Sequence, residues 1–372
     1  MPTISLPSYA VTVEAGSLSR LGEIANAAAA VHRWVVITDE TVGALYAERV
    51  ASALGPRVDV LAVPPGEGEK TRARWAALTD AMLASGCGRD TGVVALGGGV
   101  VGDLAGFVAA TYMRGIPVVQ APTTLLAMVD AAIGGKTGVD TAAGKNLVGA
   151  FHDPVAVVAD PDALDTLPER ELRAGLAEAI KHGVISDAAY LEWVVDRFGV
   201  DGGTRHSALG TRRGGDARPD DVERLVARSV EIKADVVRRD GREGGLRKVL
   251  NFGHTIGHAV EALSGWRMRH GEAVAVGMVA ESRLAERLGV AETGTRERVR
   301  EAVARVGLPA SVPAEIAPEA VVAATRGDKK ARAGSAEYAL PAAVGRMAGA
   351  GHGWTVRADE SLVLEVLREG AR

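Results

Sequence analysis

The sequence predicts an α/β amino-terminal domain built on a parallel sheet, followed by a mostly α-helical carboxy-terminal domain. In the first half of the chain, short apolar runs alternate with helical stretches, as in β-α units. From about Leu167 onward, helical stretches follow one another instead. The length of 372 residues suits two domains. We therefore expect a first domain over residues 1–168 and a second over residues 169–372.

Four apolar runs in the first half have the length of buried strands. They are residues 34–38, 58–63, 92–96 and 117–122. The stretches 41–54 and 72–85 have the apolar spacing of helices. Strands that alternate with helices form parallel sheets, whose ligands sit beyond the carboxyl ends of the strands.

Polar or glycine-rich segments follow three of these strands. Asp39 ends the first strand, the cluster 97–99 ends the third, and Thr123 and Thr124 end the last. Glycines between a strand and a helix let backbone N–H groups approach a pyrophosphate. The spacing is not G-x-G-x-x-G, however, and such glycines are often only tight turns. A nucleotide site and a plain turn both remain open at this point.

The second half contains four predicted helical stretches. They are residues 168–185, 221–239, 256–263 and 272–288. Residues 200–220 are rich in Gly and Arg without periodicity, which predicts a surface loop.

Composition restricts the class of protein. The net charge of −4 argues against a nucleic-acid partner. No apolar run is long enough for a membrane span, and the amino terminus does not look like a signal peptide. The single cysteine, Cys87, excludes an internal disulfide and fits a reducing compartment. We therefore expect a cytoplasmic protein.

The segment 128–149 carries two lysines, Lys136 and Lys145, in a glycine-rich loop of small and apolar residues. A solvated surface would mix both charge signs. Lysines in this setting suit a phosphate or carboxylate ligand. Two surface lysines in a mobile loop are the alternative.

Three of the eight histidines cluster within a short stretch. His254 and His258 are four residues apart on one helix face, and His270 follows at the start of the next predicted helix. Glu178 and Lys181 lie one turn apart among small residues. Two imidazoles and one carboxylate form a common open zinc site. Spacing alone does not decide which two histidines bind, and the pair His254 and His258 is the simplest choice.

Taken together, these motifs resemble the 3-dehydroquinate synthase family over nearly the whole chain. The matching blocks are residues 97–115, 121–140, 144–152, 167–185, 247–261 and 270–278. Several blocks in one order make the resemblance specific. It implies a dehydroquinate synthase-like fold with a Rossmann-like sheet, bound NAD, a Zn²⁺ or Co²⁺ ion and a homodimer.

The resemblance also implies a role for particular residues. The metal would be held by Glu178, His254 and His270, which leaves His258 to face the substrate and handle protons. The implied NAD site comprises Asp39, Glu67, Lys70, Gly99, Val100, Val101, Gly102, Asp103, Thr123, Thr124, Lys136, Lys145 and Thr166. The implied substrate pocket comprises Arg114, Asp130, Lys136, Asn146, Lys181, Lys233, Arg247, Asn251, His258 and Lys330, which is favoured over Lys329.

The implied reaction converts the sugar phosphate 3-deoxy-D-arabino-heptulosonate 7-phosphate to 3-dehydroquinate and phosphate, a step of the shikimate pathway. It proceeds by transient oxidation with NAD, elimination, reduction and aldol closure. Lys136, Asn146, Lys181 and Lys330 would hold the phosphate. Arg247 and Asn251 would bind the substrate carboxylate, because a guanidinium matches a carboxylate with two hydrogen bonds.

Three alternatives differ in observable ways. Another sugar-phosphate cyclase would act on a substrate without the carboxylate. A metal-dependent polyol or glycerol-phosphate dehydrogenase would accumulate NADH, and it has no need for the lysine-rich segment or Arg247. A non-catalytic NAD-binding protein predicts a broken site, whereas every expected position is filled here.

Overall fold

The structure is a computed structural model that describes residues 3–142, 144–200, 219–326 and 336–370. The chain forms two compact units. Unit 1 comprises Met1–Leu167 and Val222–Ala234, and unit 2 comprises Pro168–Asp221 and Asp235–Arg372.

Unit 1 is an α/β unit. Its strands are β1 (Thr3–Ser5), β2 (Ala10–Val13), β3 (Arg33–Asp39), β4 (Val58–Val63), β5 (Thr91–Gly97), β6 (Val118–Pro122), β7 (Lys136–Thr141), β8 (Gly144–Phe151) and β9 (Ala156–Ala159). Its helices are α1 (Leu21–Ala28), α2 (Glu40–Leu54), α3 (Arg72–Ala84) and α4 (Gly99–Thr111). Seven strands form one sheet in the order β1-β2-β9-β6-β5-β3-β4, parallel except at β1.

The central strands of this sheet are apolar because helices cover both of their faces. Every residue of β5 and β6 is buried, and Leu104 and Val108 of α4 pack in the same core as Val93 and Val118. β3 and β5 are neighbours in the sheet. The chain continues from β3 to β4 toward one edge of the sheet, and from β5 to β6 toward the opposite edge. The adjacent ends of β3 and β5 are therefore a topological switch point, where parallel sheets bind ligands.

The lysine-rich segment differs from the expected loop. It forms an antiparallel hairpin of β7 and β8, in which Val139 pairs with Val148. The hairpin packs on α4 at Gly106, where a Cβ atom would lie 2.6 Å from Cγ2 of Thr137. The many Gly and Ala residues that make this close packing possible also hide the alternation that reveals a strand.

Unit 2 is mostly helical. Its helices are α5 (Glu169–Ser186), α6 (Ala188–Phe198), α8 (His254–Leu263), α9 (His270–Arg287), α10 (Thr295–Arg305), α11 (Pro318–Thr325) and α12 (Glu360–Gly370). Helix α7 (Pro219–Arg239) is divided between the units, because its residues Val222–Ala234 belong to unit 1. Two short strand pairs complete it, β10 (Glu337–Tyr338) with β13 (Val356–Arg357) and β11 (Pro341–Ala343) with β12 (Arg346–Met347).

Helices α5, α8 and α9 touch at glycines. A Cβ atom on Gly277 of α9 would lie 1.9 Å from the carbonyl oxygen of Gly253, at the start of α8. A Cβ atom on Gly271 would lie 1.9 Å from the carbonyl oxygen of Ala174 in α5. The backbones therefore approach closely, and side chains on these helices can converge.

The predicted fold class is confirmed, with a mainly parallel sheet in unit 1 and helices in unit 2. Among the described residues, no helix combines the length and the apolar character needed to cross a membrane.

Candidate active site

Three predicted nucleotide-binding segments lie at the carboxyl ends of adjacent strands in unit 1. Asp39 ends β3, and its Oδ1 accepts hydrogen bonds of 2.9 Å from the backbone N–H groups of Thr41 and Val42. The glycine turn after β5 leads directly into α4, which begins at Gly99. Thr123 follows β6; its Oγ1 is buried and has no hydrogen-bond partner among the described residues.

Four further predicted nucleotide-site residues form an ion-pair cluster, which we call the lysine cluster: Glu67, Lys70, Asp103 and Lys145. The Lys70 Nζ lies 2.6 Å from Oδ2 of Asp103, and the Lys145 Nζ lies 3.2 Å from Oε1 of Glu67. Burial alone would lower the pKa of Lys70, but the carboxylates of Asp103 and Glu67 raise it above its usual value. Lys70 therefore carries a positive charge inside the protein.

Asp140 joins the lysine cluster to the hairpin, a role that the sequence analysis missed. Its backbone N–H donates to the carbonyl oxygen of Lys70 at 2.7 Å. Its Oδ1 accepts the backbone N–H of Asn146 at 2.8 Å, and Asn146 has a left-handed φ of 52°. The turn-forming composition of residues 140–144 was the available signal.

The remaining predicted residues of unit 1 are more scattered. Lys233 on α7 contacts Asp130, with its Nζ 2.8 Å from Oδ1 and 2.6 Å from the carbonyl oxygen. Thr166 contacts Tyr46 through its hydroxyl at 2.7 Å, and Lys136 begins β7. Arg114 lies beyond the far end of α4, about 20 Å from the glycine turn, because the helix has 13 residues.

The predicted metal residues converge in unit 2. The Oε1 atom of Glu178 on α5 lies 3.7 Å from Nε2 of His254 on α8 and 3.5 Å from Nε2 of His270 on α9. A tetrahedral metal with bonds of about 2.1 Å separates its ligand atoms by roughly 3.4 Å. The two distances from Glu178 are thus close to the separation of neighbouring ligand atoms around a divalent cation. Below, we call these three side chains the metal triad.

The two imidazoles of the metal triad are also held on their other side. Nδ1 of His254 lies 3.1 Å from the carbonyl oxygen of Phe252, and Nδ1 of His270 lies 3.4 Å from Oε2 of Glu261. Metal-binding histidines typically donate their second N–H group to such oxygens. Each Nε2 would then be the ring atom available to bind a metal.

His258 is exposed, and its ring centroid lies 5.2 Å from that of His254 and 5.7 Å from that of His270. The three histidines together also offer nitrogen atoms within 4.8 Å of one another. The pair His254 and His258 is therefore also geometrically possible, whereas the contacts to Glu178 described above are those of His254 and His270.

Electrostatics at the metal triad favour a cation. Burial alone would lower the pKa of His270, but hydrogen bonds to Glu178 and Glu261 and their charges raise it to about 9. The two carboxylates thus stabilise a proton on His270, in a place where a bound metal would otherwise supply the positive charge. Lys181, one turn after Glu178, forms an ion pair with it, and both side chains are buried.

Arg247 and Asn251 lie on a 3₁₀ helix (Leu246–Asn251) that follows a loop built around Asp240. Arg247 is buried and donates from its guanidinium to the carbonyl oxygen of Gly241 at 2.6 Å. Asp240 accepts backbone N–H bonds from Gly245 and Arg247.

Glu243, in the same loop, was not predicted. It has a left-handed φ of 61°, and its Oε1 accepts a hydrogen bond of 2.6 Å from Asn251. An unfavourable backbone conformation at a polar residue often marks a functional position, but sequence alone does not reveal it. The predicted Lys330 and its alternative Lys329 lie outside the described residues, as does most of the 200–220 stretch.

Solved structures first define the class of fold. The chain is similar to 2-deoxy-scyllo-inosose synthase complexed with carbaglucose-6-phosphate, NAD⁺ and Co²⁺, at 26% identity and a TM-score of 0.87, covering 99% of this chain and 100% of that one. It is also similar to the 2-epi-5-epi-valiolone synthase of Streptomyces hygroscopicus with NAD⁺ and Zn²⁺, at 28% identity and a TM-score of 0.84, covering 100% and 99%. The fold is that of the sugar-phosphate cyclases.

Sequence comparison then identifies the family. The 3-dehydroquinate synthase N-terminal model matches residues 60–174, and the C-terminal model matches residues 175–331. The 3-dehydroquinate synthase of Symbiobacterium thermophilum is 46% identical over 344 residues, which cover 91% of this chain and 92% of that protein. The chain belongs to the 3-dehydroquinate synthase family.

Proposed function

We propose that this protein is an NAD- and metal-dependent 3-dehydroquinate synthase, a lyase that converts 3-deoxy-D-arabino-heptulosonate 7-phosphate to 3-dehydroquinate and phosphate. The observation that carries the proposal is the metal triad in a chain of this family. A curated relative with this activity is 46% identical over nearly its full length.

The metal triad fits Zn²⁺ or Co²⁺. One carboxylate and two imidazoles suit both ions and leave coordination positions open for a substrate. Related cyclases contain Co²⁺ or Zn²⁺. A cation held by Glu178, His254 and His270 would act as a Lewis acid toward substrate hydroxyl groups.

The strand ends of unit 1 fit NAD, which both solved cyclases contain. A helix that starts in a glycine turn at a switch point suits a pyrophosphate, and the buried Thr123 hydroxyl offers a donor for a polar ligand. Bound there, NAD⁺ would supply a transient hydride transfer, and no NADH would accumulate. The charged Lys70 and Lys145 would attract the anionic parts of the cofactor.

The substrate-binding roles remain predictions for each residue. Arg247 is fixed by the Gly241 carbonyl, which would orient its guanidinium for a carboxylate. Lys181 and Lys233 are buried ammonium groups suited to phosphate or hydroxyl oxygens. His258 is exposed beside the metal triad, where an imidazole can serve as a general acid or base.

Three further predictions come from the sequence, and the homodimer among them comes from the resemblance. We propose a homodimer, a cytoplasmic location and a domain boundary at residue 168. Size-exclusion chromatography with light scattering would test the homodimer directly.

Substrate choice tests the activity itself. Purified protein with NAD⁺ and Zn²⁺ is given either the heptulosonate phosphate or glucose 6-phosphate, which lacks a carboxylate. We expect phosphate release and 3-dehydroquinate, identified by NMR, from the first substrate only. Cyclisation of glucose 6-phosphate instead would assign the protein to another cyclase activity.

The variant Arg247→Met sharpens this test. Loss of the guanidinium should raise KM for the carboxylate-bearing substrate by about 10-fold or more, since hydrogen bonds to charged groups contribute about 1.5–3 kcal/mol. Arg346→Met is the matched control, because Arg346 is an exposed arginine of unit 2 paired with Glu292. An unchanged KM in Arg247→Met would contradict the carboxylate role.

A further inference from the structure

Helix α8, which carries His254, has no capping side chain of its own. It begins after Gly253, whose left-handed φ of 80° turns the chain into the helix. The first N–H groups of a helix need hydrogen-bond acceptors, and a glycine offers no side chain for them. The acceptor comes instead from Glu281 on α9. Its Oε2 accepts the N–H of Gly253 at 2.6 Å, and its Oε1 accepts the N–H of Ile256 at 3.0 Å.

The Glu281 carboxylate is fully buried. Burying a carboxylate is costly unless hydrogen bonds and favourable dipoles compensate. Two backbone donors and the positive end of α8 provide that compensation. Such a buried group is therefore firmly held, and it holds the first turn of α8 in return.

The position of Glu281 links it to both imidazoles of the metal triad. His270 and Glu281 are eleven residues apart on α9, which is about three turns, so both lie on one face of that helix. The two N–H groups that Glu281 binds flank His254 in the sequence. The Phe252 carbonyl that contacts His254 Nδ1 belongs to the residue just before Gly253.

We propose that Glu281 is a positioning residue for the metal triad. By binding both sides of the first α8 turn, it fixes the direction of the His254 imidazole relative to Glu178 and His270. This inference rests on the proposed metal site.

Glu281→Gln tests the proposal with little change in volume. An amide has one acceptor oxygen and one NH₂ donor, so one of the two backbone N–H groups would face another donor. The first turn of α8 should then shift. Loss of a group that orients a metal ligand typically weakens metal binding by about 10–100-fold.

The measurement is a titration of the metal-free protein with Co²⁺, followed by the visible absorption of the ion. Compared with the parent protein, Glu281→Gln should bind Co²⁺ about 10–100-fold more weakly and show a changed absorption spectrum. Asp160→Asn is the matched control. Asp160 is a fully buried carboxylate in unit 1 that accepts backbone N–H groups of Gly16 and Leu18 at 2.8 and 2.9 Å. That variant should lose stability and keep the Co²⁺ affinity and spectrum.

The outcomes separate the two claims. Parent-like affinity and spectrum in Glu281→Gln, or an equal change in Asp160→Asn, would overturn the positioning role. If Glu281→Gln does not fold, Glu281→Asp replaces it; the shorter carboxylate keeps the charge but cannot reach both N–H groups, so the same weakening is expected and its absence overturns the role. If His254→Ala binds Co²⁺ like the parent, the metal site itself is wrong and the inference fails with it.

Discussion

The lysine cluster of unit 1 and the metal triad of unit 2 hold charge in opposite ways. In the lysine cluster each ammonium faces a carboxylate, as Lys70 faces Asp103 and Lys145 faces Glu67. Around the metal triad, Glu178 and Glu261 face imidazoles, and Lys181 is the cation paired with Glu178. The first arrangement is nearly neutral without a ligand. With neutral imidazoles, the second holds two carboxylates and one ammonium, and a proton on His270 or a bound cation balances the remaining negative charge.

The largest expected effect comes from removing one imidazole of the metal triad. His254→Ala should abolish metal binding and turnover together, because two ligands cannot replace the fixed set of three. Metal content by elemental analysis and phosphate release measure the two losses. His352→Ala, which changes an exposed histidine in a loop of unit 2, should alter neither. Retained metal and activity in His254→Ala would contradict the ligand assignment.

A smaller effect is expected in the lysine cluster. Lys70→Met leaves the Asp103 carboxylate without its ammonium, and breaking a buried pair this way costs about 3–5 kcal/mol of unfolding free energy. Denaturant unfolding measures this cost, and calorimetry should show weaker NAD⁺ binding.

The double variant Lys70→Met with Asp103→Leu separates the two effects. Without either charge, the protein should recover most of its stability. NAD⁺ binding should remain weak. Recovery of NAD⁺ affinity in the double variant would show that Lys70 serves stability only.

A third test changes the helix contact in unit 2. Gly277→Ala places a Cβ atom against the Gly253 carbonyl oxygen, at 1.9 Å before relaxation, so α8 and α9 must separate. We expect a loss of about 1–3 kcal/mol, measured by thermal unfolding, with weaker Co²⁺ binding. Gly351→Ala is the control, since a Cβ atom there meets nothing within 4 Å. Equal Co²⁺ affinity in both variants would show that this contact does not shape the metal triad.

The smallest effect is expected at the surface of unit 2. Arg170 forms hydrogen bonds of 2.6 and 2.7 Å with Glu272 near His270, but its side chain is 53% exposed. Exposed ion pairs contribute about 0.2–1 kcal/mol. A double-mutant cycle of Arg170→Ala and Glu272→Gln should give a coupling energy in that range, with unchanged Co²⁺ affinity. A larger coupling would mean that this pair also positions His270.

The elements that the sequence predicted are those with a clear apolar pattern. β4 has the predicted bounds, and α2 and α3 each differ from the predicted range by one residue at one end. A continuous apolar run marks the strand, and helical spacing of apolar residues marks the two helices. The histidine cluster was visible because His254 and His258 are close in sequence. Glu178, 76 residues before His254, was a candidate because it lies among small residues, and the family resemblance then placed it in the metal set.

What the sequence did not reveal depends on contacts between distant residues. The β7–β8 hairpin is rich in Gly and Ala, so its pairing leaves little periodic signal. The carboxylates of Asp140 and Glu281 accept hydrogen bonds from backbone N–H groups. Any buried acid can accept such bonds, so no sequence motif marks these two residues. Glu243 combines a left-handed backbone angle with a hydrogen bond from Asn251, and neither leaves a sequence signal. Such roles become visible only when the fold brings the partners together.

In the proposed reaction, NAD is a recycled catalyst and phosphate is released. The most direct measurement supplies the protein with Zn²⁺, excess heptulosonate phosphate and a small, known amount of NAD⁺, then records phosphate and NADH absorbance together. We predict many phosphates per NAD⁺ with no accumulating NADH. Phosphate release that stops at one per NAD⁺, or steady NADH formation with glycerol as the substrate, would contradict the account.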